Sequence, residues 1–324
     1  MTSAPLVSVV LPVFNEEALL QELHKRITDV MRSMNVSYEL LYVNDGSVDG
    51  SWRRICEIAA ADRHARGINL SRNFGHQVAI TAGLDEARGD AVIVMDSDLQ
   101  DPPNVVPSLY AKFLEGFDVV YAQRRRRAGE TWVKRATAKA FYRMMRRLTS
   151  VDVPVDAGDF RLMSRRVVDD LRKFPEHHRF LRGLTSWVGY SQAAVPYDRD
   201  PRYGGVTKFS TGKMMVFALD GITSLSIRPL RLASHLGLLL SAASFAGMAG
   251  IIIYKLAGGQ GLIPGWTSLF AAALFIGGIQ LLALGLLGEY VGRIHDEVKR
   301  RPIYLVRDRV NVDDMTAAPL HALK

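Results

Sequence analysis

Residues 90–103 read DAVIVMDSDLQDPP, an apolar run followed by a cluster of acidic residues. Residues 90–95 form a short run of β-branched and apolar side chains, which predicts a buried strand. Asp96 and Asp98 follow directly, so the strand ends in two carboxylates at positions i and i+2. Such a pair suits a hard divalent cation, Mg²⁺ or Mn²⁺, that also holds substrate phosphates. An ordinary solvated turn could contain the same two residues, so the rest of the chain must distinguish a metal site from a simple turn.

The pattern of an apolar strand followed by a helix repeats on both sides of this stretch. Strands are predicted at residues 7–13, 38–44, 67–71, 90–95 and 118–121, and helices end near Met34 and Arg63 or span residues 76–87. This alternation predicts an α/β fold with a mainly parallel, Rossmann-like sheet that is covered on both faces. Polar motifs fall at the carboxyl ends of the strands, where such sheets bind ligands. Neither a dinucleotide-binding glycine motif nor a P-loop is present.

Two long stretches near the carboxyl end carry no charged side chain. Residues 232–254 and 256–288 contain no Asp, Glu, Lys or Arg, and each could cross a hydrocarbon core of about 30 Å. They predict a two-helix transmembrane hairpin at about 232–254 and 266–288, although two buried core helices are the alternative. Basic residues flank the outer ends at Arg228, Arg231 and Arg293, which predicts that both ends are cytoplasmic.

The amino-terminal half is predicted to remain in the cytosol. Its first apolar run, residues 6–14, is short and broken by Pro12, which indicates a core strand and not a signal peptide. Cys56 is the single cysteine, so no intrachain disulfide can form, as is usual in a reducing compartment.

A strongly basic segment follows the predicted sheet strands. Residues 124–147 contain ten Lys or Arg and one acid, Glu130, so this segment alone exceeds the net charge of +8 of the whole chain. Apolar residues recur in it at helical spacing, which predicts an amphipathic helix over 124–149 on an anionic membrane surface. A solvated helix packed on its own domain is the alternative, and nucleic-acid binding is disfavoured by the two spans. A second amphipathic stretch, 209–231, leads into the first span.

Together these features resemble the family-2 glycosyltransferases of the GT-A fold, and within them the polyprenyl-phosphate sugar synthases. The matching motifs, in chain order, are LPVFNE at 11–16, NDGSVDG at 44–50, SRNFG at 71–75, residues 95–103, GDFRL at 158–162, RYGGVTKF at 202–209 and GEYVGRI at 288–294. The likeness covers almost the whole chain in order, which is far more specific than any one motif.

The resemblance implies a nucleotide site in the first two motifs. Pro12, Phe14 and Glu16 would hold the base and ribose, with Asp45 on the base and Ser47 beside it. Phe14 stands where the family often has Tyr, so stacking is kept and a hydroxyl contact is lost. An ordinary turn and helix cap is the alternative for the second motif.

The resemblance also implies the reacting groups. Asp96 and Asp98 would bind the metal and diphosphate, and Gln100 would line the sugar or acceptor side. Asp159 occupies the position often proposed as base in this fold; an ion pair with a neighbouring Arg is its alternative. An acceptor phosphate is largely a dianion at neutral pH and needs cations more than a base. The candidate cations are Arg124, Arg161 and Lys208, whereas His76 is interpreted as a helix-start residue without catalytic duty.

The whole sequence therefore predicts a membrane-anchored glycosyltransferase. Residues 1–208 would form the cytosolic catalytic domain, 209–231 a juxtamembrane helix, 232–288 the hairpin and 289–324 a cytosolic tail. We expect a multi-pass protein of the inner (plasma) membrane that transfers one sugar, with inversion, from a nucleotide sugar to undecaprenyl phosphate. A UDP-sugar such as UDP-glucose is favoured over a GDP-sugar, and no motif reports which sugar it is.

Two other functions and one assembly state are left open by the sequence. A processive polysaccharide synthase would carry a Gln-x-x-Arg-Trp motif and usually more spans, and neither is present. A non-catalytic membrane scaffold would be expected to lose Asp96, Asp98, Asp159 or Arg161, and all four are present. A homo-oligomer is possible because small residues allow close helix packing; the glycines concerned are Gly237, Gly247, Gly250, Gly277, Gly278 and Gly285.

Overall fold

The computed structural model describes residues 5–125, 157–177, 179–198, 228–257 and 265–312. The chain divides into two compact units. One comprises Met1–Tyr142, Val151–Lys213 and Pro302–Lys324, and the other comprises Arg143–Ser150 and Met214–Arg301. The predicted basic helix beyond Arg125, the juxtamembrane stretch before Arg228 and Lys208 lie outside the described residues.

The first unit is built on one sheet flanked by helices. Its described strands are β1 Val7–Val13, β2 Tyr38–Asn44, β3 Ala65–Leu70, β4 Ala91–Val94, β5 Val119–Arg124, β6 Ala157–Ser164, β7 Gln192–Tyr197 and β8 Val306–Val310. Its described α-helices are α1 Leu20–Ser33, α2 Ser51–Ala61, α3 His76–Glu86, α4 Val106–Leu114, α5 Arg165–Arg172 and α6 Leu181–Trp187. The predicted strands and helices of the first 121 residues are confirmed to within a few residues.

The strand order is β7-β5-β6-β4-β1-β2-β3-β8. Strands β4, β1, β2 and β3 are parallel neighbours, and β5 is parallel to β7. Strand β6 runs antiparallel between β4 and β5, and β8 runs antiparallel to β3 at the edge. The predicted mainly parallel α/β sheet is confirmed, with two antiparallel strands that the sequence analysis did not foresee.

Both faces of the central strands β1 to β4 are buried, which explains why these strands are continuous apolar runs in the sequence. All seven residues of β1 are buried, and their side chains alternate between two clusters. Leu11 packs in one cluster with Leu23 and Ile27 of α1, whose apolar residues recur at helical spacing. Val10 packs in the other cluster with Ile80 of α3. Because helices cover both faces, a ligand can reach the sheet at the loops that follow the carboxyl ends of the strands.

Strand β8 comes from a segment that the sequence analysis assigned to the tail. It pairs with β3, with Gly67 opposite Val310, and the amide of Ser71 donates to the carbonyl of Leu305 at 2.8 Å. The Nδ2 of Asn69 also donates to Asp308 Oδ2 at 2.8 Å. Residues 307–309 are three consecutive charged residues, so no apolar run marks this strand in the sequence. An edge strand can carry them because its side chains remain in solvent.

The second unit contains two long helices, α7 Arg228–Leu256 and α8 Trp266–Val298. Among the described residues, Phe275–Val298 of α8 is the one segment long and apolar enough to cross a membrane, and the apolar segment Ala233–Gly247 of α7 is shorter. The two-helix hairpin therefore stays a prediction. A Cβ placed on any of the six glycines named above meets no atom within 4 Å, so these glycines mediate no close helix contact among the described residues.

Candidate active site

The loops that follow β1, β2 and β4 meet at the carboxyl edge of the parallel strands. The amide of Asn15 donates to Ser47 Oγ at 2.9 Å, and the Asn15 side-chain carbonyl accepts from the amide of Val48 at 2.9 Å. The hydroxyl of Ser97 donates to the carbonyl of Pro12 at 2.7 Å. The predicted nucleotide residues are thus brought to one edge, where Phe14 is 37% exposed. Glu16 lies partly exposed beside it.

Asp45 holds the loop in front of α3. Its side chain is buried, and its two carboxylate oxygens accept from the amides of Phe74 at 2.7 Å and Gly75 at 3.0 Å. Burial raises the pKa of Asp45, and the two amide hydrogen bonds oppose that shift. A carboxylate oxygen can accept more than one hydrogen bond. The predicted contact of Asp45 with the base therefore stays compatible with its observed structural role.

Gly46 lies against the same loop and leaves no room for a side chain. It has a φ of 64°, and a Cβ there would lie 2.3 Å from the carbonyl carbon of Arg72 and 2.4 Å from the amide nitrogen of Asn73. Contact with backbone atoms cannot be relieved by rotating a side chain. The second motif thus needs glycine for close approach as well as for its dihedral angle.

A Gly46→Ala substitution is expected to destabilise the protein by about 2–4 kcal/mol, because it combines left-handed strain with a backbone clash. Thermal or chemical unfolding measures the change. Gly189→Ala is the matched control, since Gly189 has a φ of 74° and a Cβ there meets nothing within 4 Å. Equal losses in the two variants would show that the contact with the 72–73 backbone does not matter.

Asp96 and Asp98 stand directly after β4, as predicted. Asp96 Oδ1 is buried without a hydrogen bond from the described residues and lies 3.4 Å from His76 Nε2. Burial raises the pKa of Asp96 to about 6, against the opposing positive charge of His76. Asp98 Oδ1 accepts from the amide of Gln100 at 3.1 Å, which shapes the turn.

This carboxylate pair fits a divalent cation that is shared with a diphosphate. Among the described residues, no group of three or more His, Cys, Asp or Glu side chains could hold a metal alone. An ion at Asp96 and Asp98 would need further oxygens from the substrate and water, which is how Mg²⁺ is usually bound. The observation that favours this fit is Asp96 Oδ1, which is buried and accepts no hydrogen bond within the described part of the chain.

Asp159 lies beside Asp96 because β6 pairs with β4. Arg182 donates to both of its oxygens, from Nε at 2.8 Å and from Nη2 at 3.0 Å, and Gln77 Nε2 donates at 3.2 Å. Burial alone would raise the pKa of Asp159, but Arg182 and His76 outweigh it and hold the pKa well below its usual range. The ion pair with Arg182 is the alternative that the sequence analysis kept for Asp159.

His76 is placed between the two acidic groups. Its Nε2 lies 3.3 Å from Asp159 Oδ2 as well as 3.4 Å from Asp96 Oδ1. Burial would lower its pKa, but the hydrogen bond to Asp159 and the two negative charges raise the pKa to about 9, so the ring is charged at neutral pH. His76 begins α3 as predicted, and it also bridges the site. The sequence signal was its position directly after the 71–75 motif.

Arg161 and Arg124 occupy different environments. Arg161 is 5% exposed, donates to Thr185 Oγ1 and to the carbonyl of Gly158, and burial lowers its pKa to about 10. Its described contacts support the fold, and its role toward a phosphate stays a prediction. Arg124 ends β5, is partly exposed, and donates from Nε to the hydroxyl of Tyr197 at 3.3 Å.

The sequence matches the Glycosyl transferase family 2 profile over residues 8–172. The chain belongs to this family. This glycosyltransferase is 46% identical over 302 residues to an uncharacterized glycosyltransferase of Synechocystis, covering 93% of this chain and 95% of that one. It is 41% identical over 301 residues to the SfII prophage-derived bactoprenol glucosyl transferase of Shigella flexneri, covering 93% and 97%. A mannosyltransferase structure from Pyrobaculum calidifontis matches at 17% identity and a TM-score of 0.48, covering 92% and 88%.

Proposed function

We propose that this glycosyltransferase transfers one sugar from a nucleoside-diphosphate sugar to a polyprenyl phosphate, with inversion at the anomeric carbon. The observation that carries the proposal is the Asp96–Asp98 pair after β4, where Asp96 Oδ1 accepts no hydrogen bond from a described residue and lies 3.4 Å from the charged ring of His76. The acceptor is supported by the relatives named bactoprenol glucosyl transferase, which match over nearly their whole length. We favour a UDP-sugar as the donor.

Asp96 and Asp98 would hold Mg²⁺ or Mn²⁺ together with the donor diphosphate. Such an ion neutralises the charge that develops on the leaving diphosphate. Pro12, Phe14 and Glu16 would hold the nucleoside at the ends of β1 and β2, where the Asn15 and Ser47 contacts join the two loops. Gln100, two residues after Asp98 in the same turn, would face the sugar.

The chemical step needs no proton transfer from the acceptor. A phosphate monoester has a second pKa near 6, so at neutral pH it is largely a dianion. One of its oxygens forms a bond to the anomeric carbon, the bond from that carbon to the β-phosphate oxygen breaks, and the electron pair leaves with the nucleoside diphosphate. A carboxylate with a strongly lowered pKa is a weak base, so we assign Asp159 to ordering His76 and Arg182.

The positive charges near the site would allow two anionic substrates to approach one another. His76 and Arg182 lie next to Asp159, and Arg124 is at the end of β5. Arg161 and Lys208 remain candidates for the same work. Helices α7 and α8 would anchor the protein as a two-span hairpin in the plasma membrane, with the catalytic domain on the cytosolic face.

Purified protein should transfer label from one member of a panel of UDP- and GDP-sugars into undecaprenyl phosphate in the presence of Mg²⁺ or Mn²⁺. The Asp98→Asn variant should give no labelled lipid because it removes half of the carboxylate pair. Asp29→Asn is the control, since Asp29 is exposed on α1. If wild-type protein binds a nucleotide but labels no lipid from any donor, the proposed acceptor is wrong.

A further inference from the structure

A buried tyrosine lies directly behind Arg124. Strands β5 and β7 are parallel, and their register places Tyr197 opposite Arg124. Tyr197 is 3% exposed, and its ring packs edge-on against Phe160 with centroids 5.9 Å apart. The ring position is therefore set by the core of the domain, and the hydroxyl is held at a fixed point beside the guanidinium.

The hydroxyl of Tyr197 uses its single proton in a hydrogen bond to Asp101. It donates to Asp101 Oδ1 at 2.5 Å, and Asp101 is completely buried. A tyrosine hydroxyl carries one donor, so the oxygen can only accept from any other neighbour. Arg124 Nε, at 3.3 Å, is the donor it accepts from. The direction of this hydrogen-bond chain, from Arg124 through Tyr197 to Asp101, is thus fixed by chemistry.

The far end of Arg124 is confined by Gly158. A Cβ on Gly158 would lie 3.0 Å from Arg124 Nη2 and 3.7 Å from Cζ, so a side chain at residue 158 would push the guanidinium by a few tenths of an ångström. No hydrogen bond from either Nη of Arg124 reaches a described residue. Arg124 is joined through Tyr197 to Asp101, which lies three residues after Asp98, so the guanidinium is two hydrogen bonds away from the loop that carries the carboxylate pair.

We propose that Tyr197 is a positioning residue that, held by Asp101, orients Arg124 so that its Nη groups bind the phosphate of the acceptor. The inference rests on the proposed function, because it needs a phosphate monoester as acceptor. Asp101 lies in the same turn as Asp98, so the chain of contacts joins the turn that would bind the donor to the cation that would bind the acceptor.

The hydrogen bond between Arg124 and Tyr197 sets the plane of the guanidinium, which packing alone would not do. Arginine binds phosphate through a planar fork, so the plane of the guanidinium decides whether two hydrogen bonds can form at once. The hydrogen bond that Nε donates to Tyr197 fixes that plane and leaves the two Nη groups for the phosphate. Burial alone would lower the pKa of Arg124, but Tyr197 and the charge of Asp101 raise it, so the side chain stays a cation.

The Tyr197→Phe variant tests the proposal because it removes the hydroxyl and keeps the ring. We expect the KM for undecaprenyl phosphate to rise about fivefold to tenfold, with the donor KM unchanged and kcat within about twofold, as for the loss of one hydrogen bond. Tyr304→Phe is the matched control, because Tyr304 also donates to a carboxylate, Asp85, at 3.0 Å but lies next to the opposite edge strand.

A double-mutant cycle separates positioning from a general structural effect. In an Arg124→Ala background, Tyr197→Phe should raise the acceptor KM no further, because the group it orients is gone. Additive effects in the two backgrounds would overturn the proposal, as would an unchanged acceptor KM in Tyr197→Phe. A rise in the donor KM alone would place Arg124 on the donor diphosphate and overturn the assignment to the acceptor.

The outcomes for wild-type protein keep the two proposals distinct. If wild-type protein labels the lipid and Tyr197→Phe leaves the acceptor KM unchanged, this inference is wrong and the proposed function stands. Absence of lipid labelling in wild-type protein would remove the proposed function, and the role of Tyr197 with it. The melting temperature of Tyr197→Phe, with and without UDP, verifies that the variant is folded and still binds nucleotide.

Discussion

An Asp96→Asn variant is expected to lose about two to three orders of magnitude in kcat while folding at least as stably as the wild-type protein. The loss in rate follows from removing one of two charges that would hold the metal and the leaving diphosphate. The amide keeps the shape of the side chain, so the nucleotide loops should be undisturbed. Turnover of the identified nucleotide sugar with Mg²⁺ or Mn²⁺ measures the effect, and Asp29→Asn serves again as the control.

The stability of this variant follows from the raised pKa of Asp96. The folded protein holds a proton on Asp96 up to about pH 6, whereas an exposed aspartate releases it near pH 4. The folded state therefore binds the proton more tightly, and its stability falls as the pH rises from about 4 to about 6. Asparagine cannot ionise, so without metal the variant should melt higher than wild type at pH 7.5 and equally at pH 4. A lower melting temperature at pH 7.5 would contradict this account.

An Asp159→Asn variant is expected to lose both activity and stability. Its carboxylate is the partner of Arg182 and His76, so the substitution removes the anion paired with Arg182 and leaves His76 with Asp96 alone. We expect a loss of about 1–3 kcal/mol in the free energy of unfolding, which is below the value for a fully buried pair because Arg182 is 26% exposed. We expect kcat to fall about tenfold to hundredfold, since both cations would lose their orientation.

The pH dependence of this loss has the opposite sign to that of Asp96. The pKa of Asp159 is held well below its usual range, so its contribution to stability is present above about pH 4 and disappears at lower pH. The difference in melting temperature between wild type and Asp159→Asn should therefore be full at pH 7 and shrink in acid. A difference that stays constant down to pH 2 would refute the ion-pair explanation.

Asp118 offers a matched control for Asp159. It is also buried, and Arg166 donates to both of its oxygens, but it lies at the start of β5 among Ser164 and Ser191. Asp118→Asn should lower the melting temperature and leave kcat unchanged. If both variants lost kcat equally, the effect of Asp159 would be one of general stability and not of the active site.

The strands of the first domain and the Asp96–Asp98 turn could be predicted because their signals are local. A continuous apolar run followed by polar residues identifies a buried strand and its carboxyl end without knowledge of the rest of the chain. Phe14 and Ser47, which are predicted to hold the nucleotide, follow the same rule. The sheet then brings the turns together because parallel neighbours end at one edge.

The bridge made by His76 could not be predicted because it depends on long-range pairing. Asp159 reaches His76 only because β6 runs antiparallel between β4 and β5. Arg182 lies on α6, a later helix, and contacts Asp159 only in the folded protein. No local pattern reports such an insertion. The contacts of Arg161 with Thr185 and with the carbonyl of Gly158 were likewise not predicted, and its role toward a phosphate stays a prediction.

Strand β8 has a consequence for how the protein is made. The sheet is not a contiguous stretch of chain, since Val306–Val310 joins it only after both long helices have been synthesised. Until then β3 is an open edge, with unpaired amides and carbonyls that could join to another chain. Folding of the catalytic domain can therefore be completed only late in translation. A shortened protein that ends before α7 would keep that edge exposed for its lifetime and would be prone to aggregate.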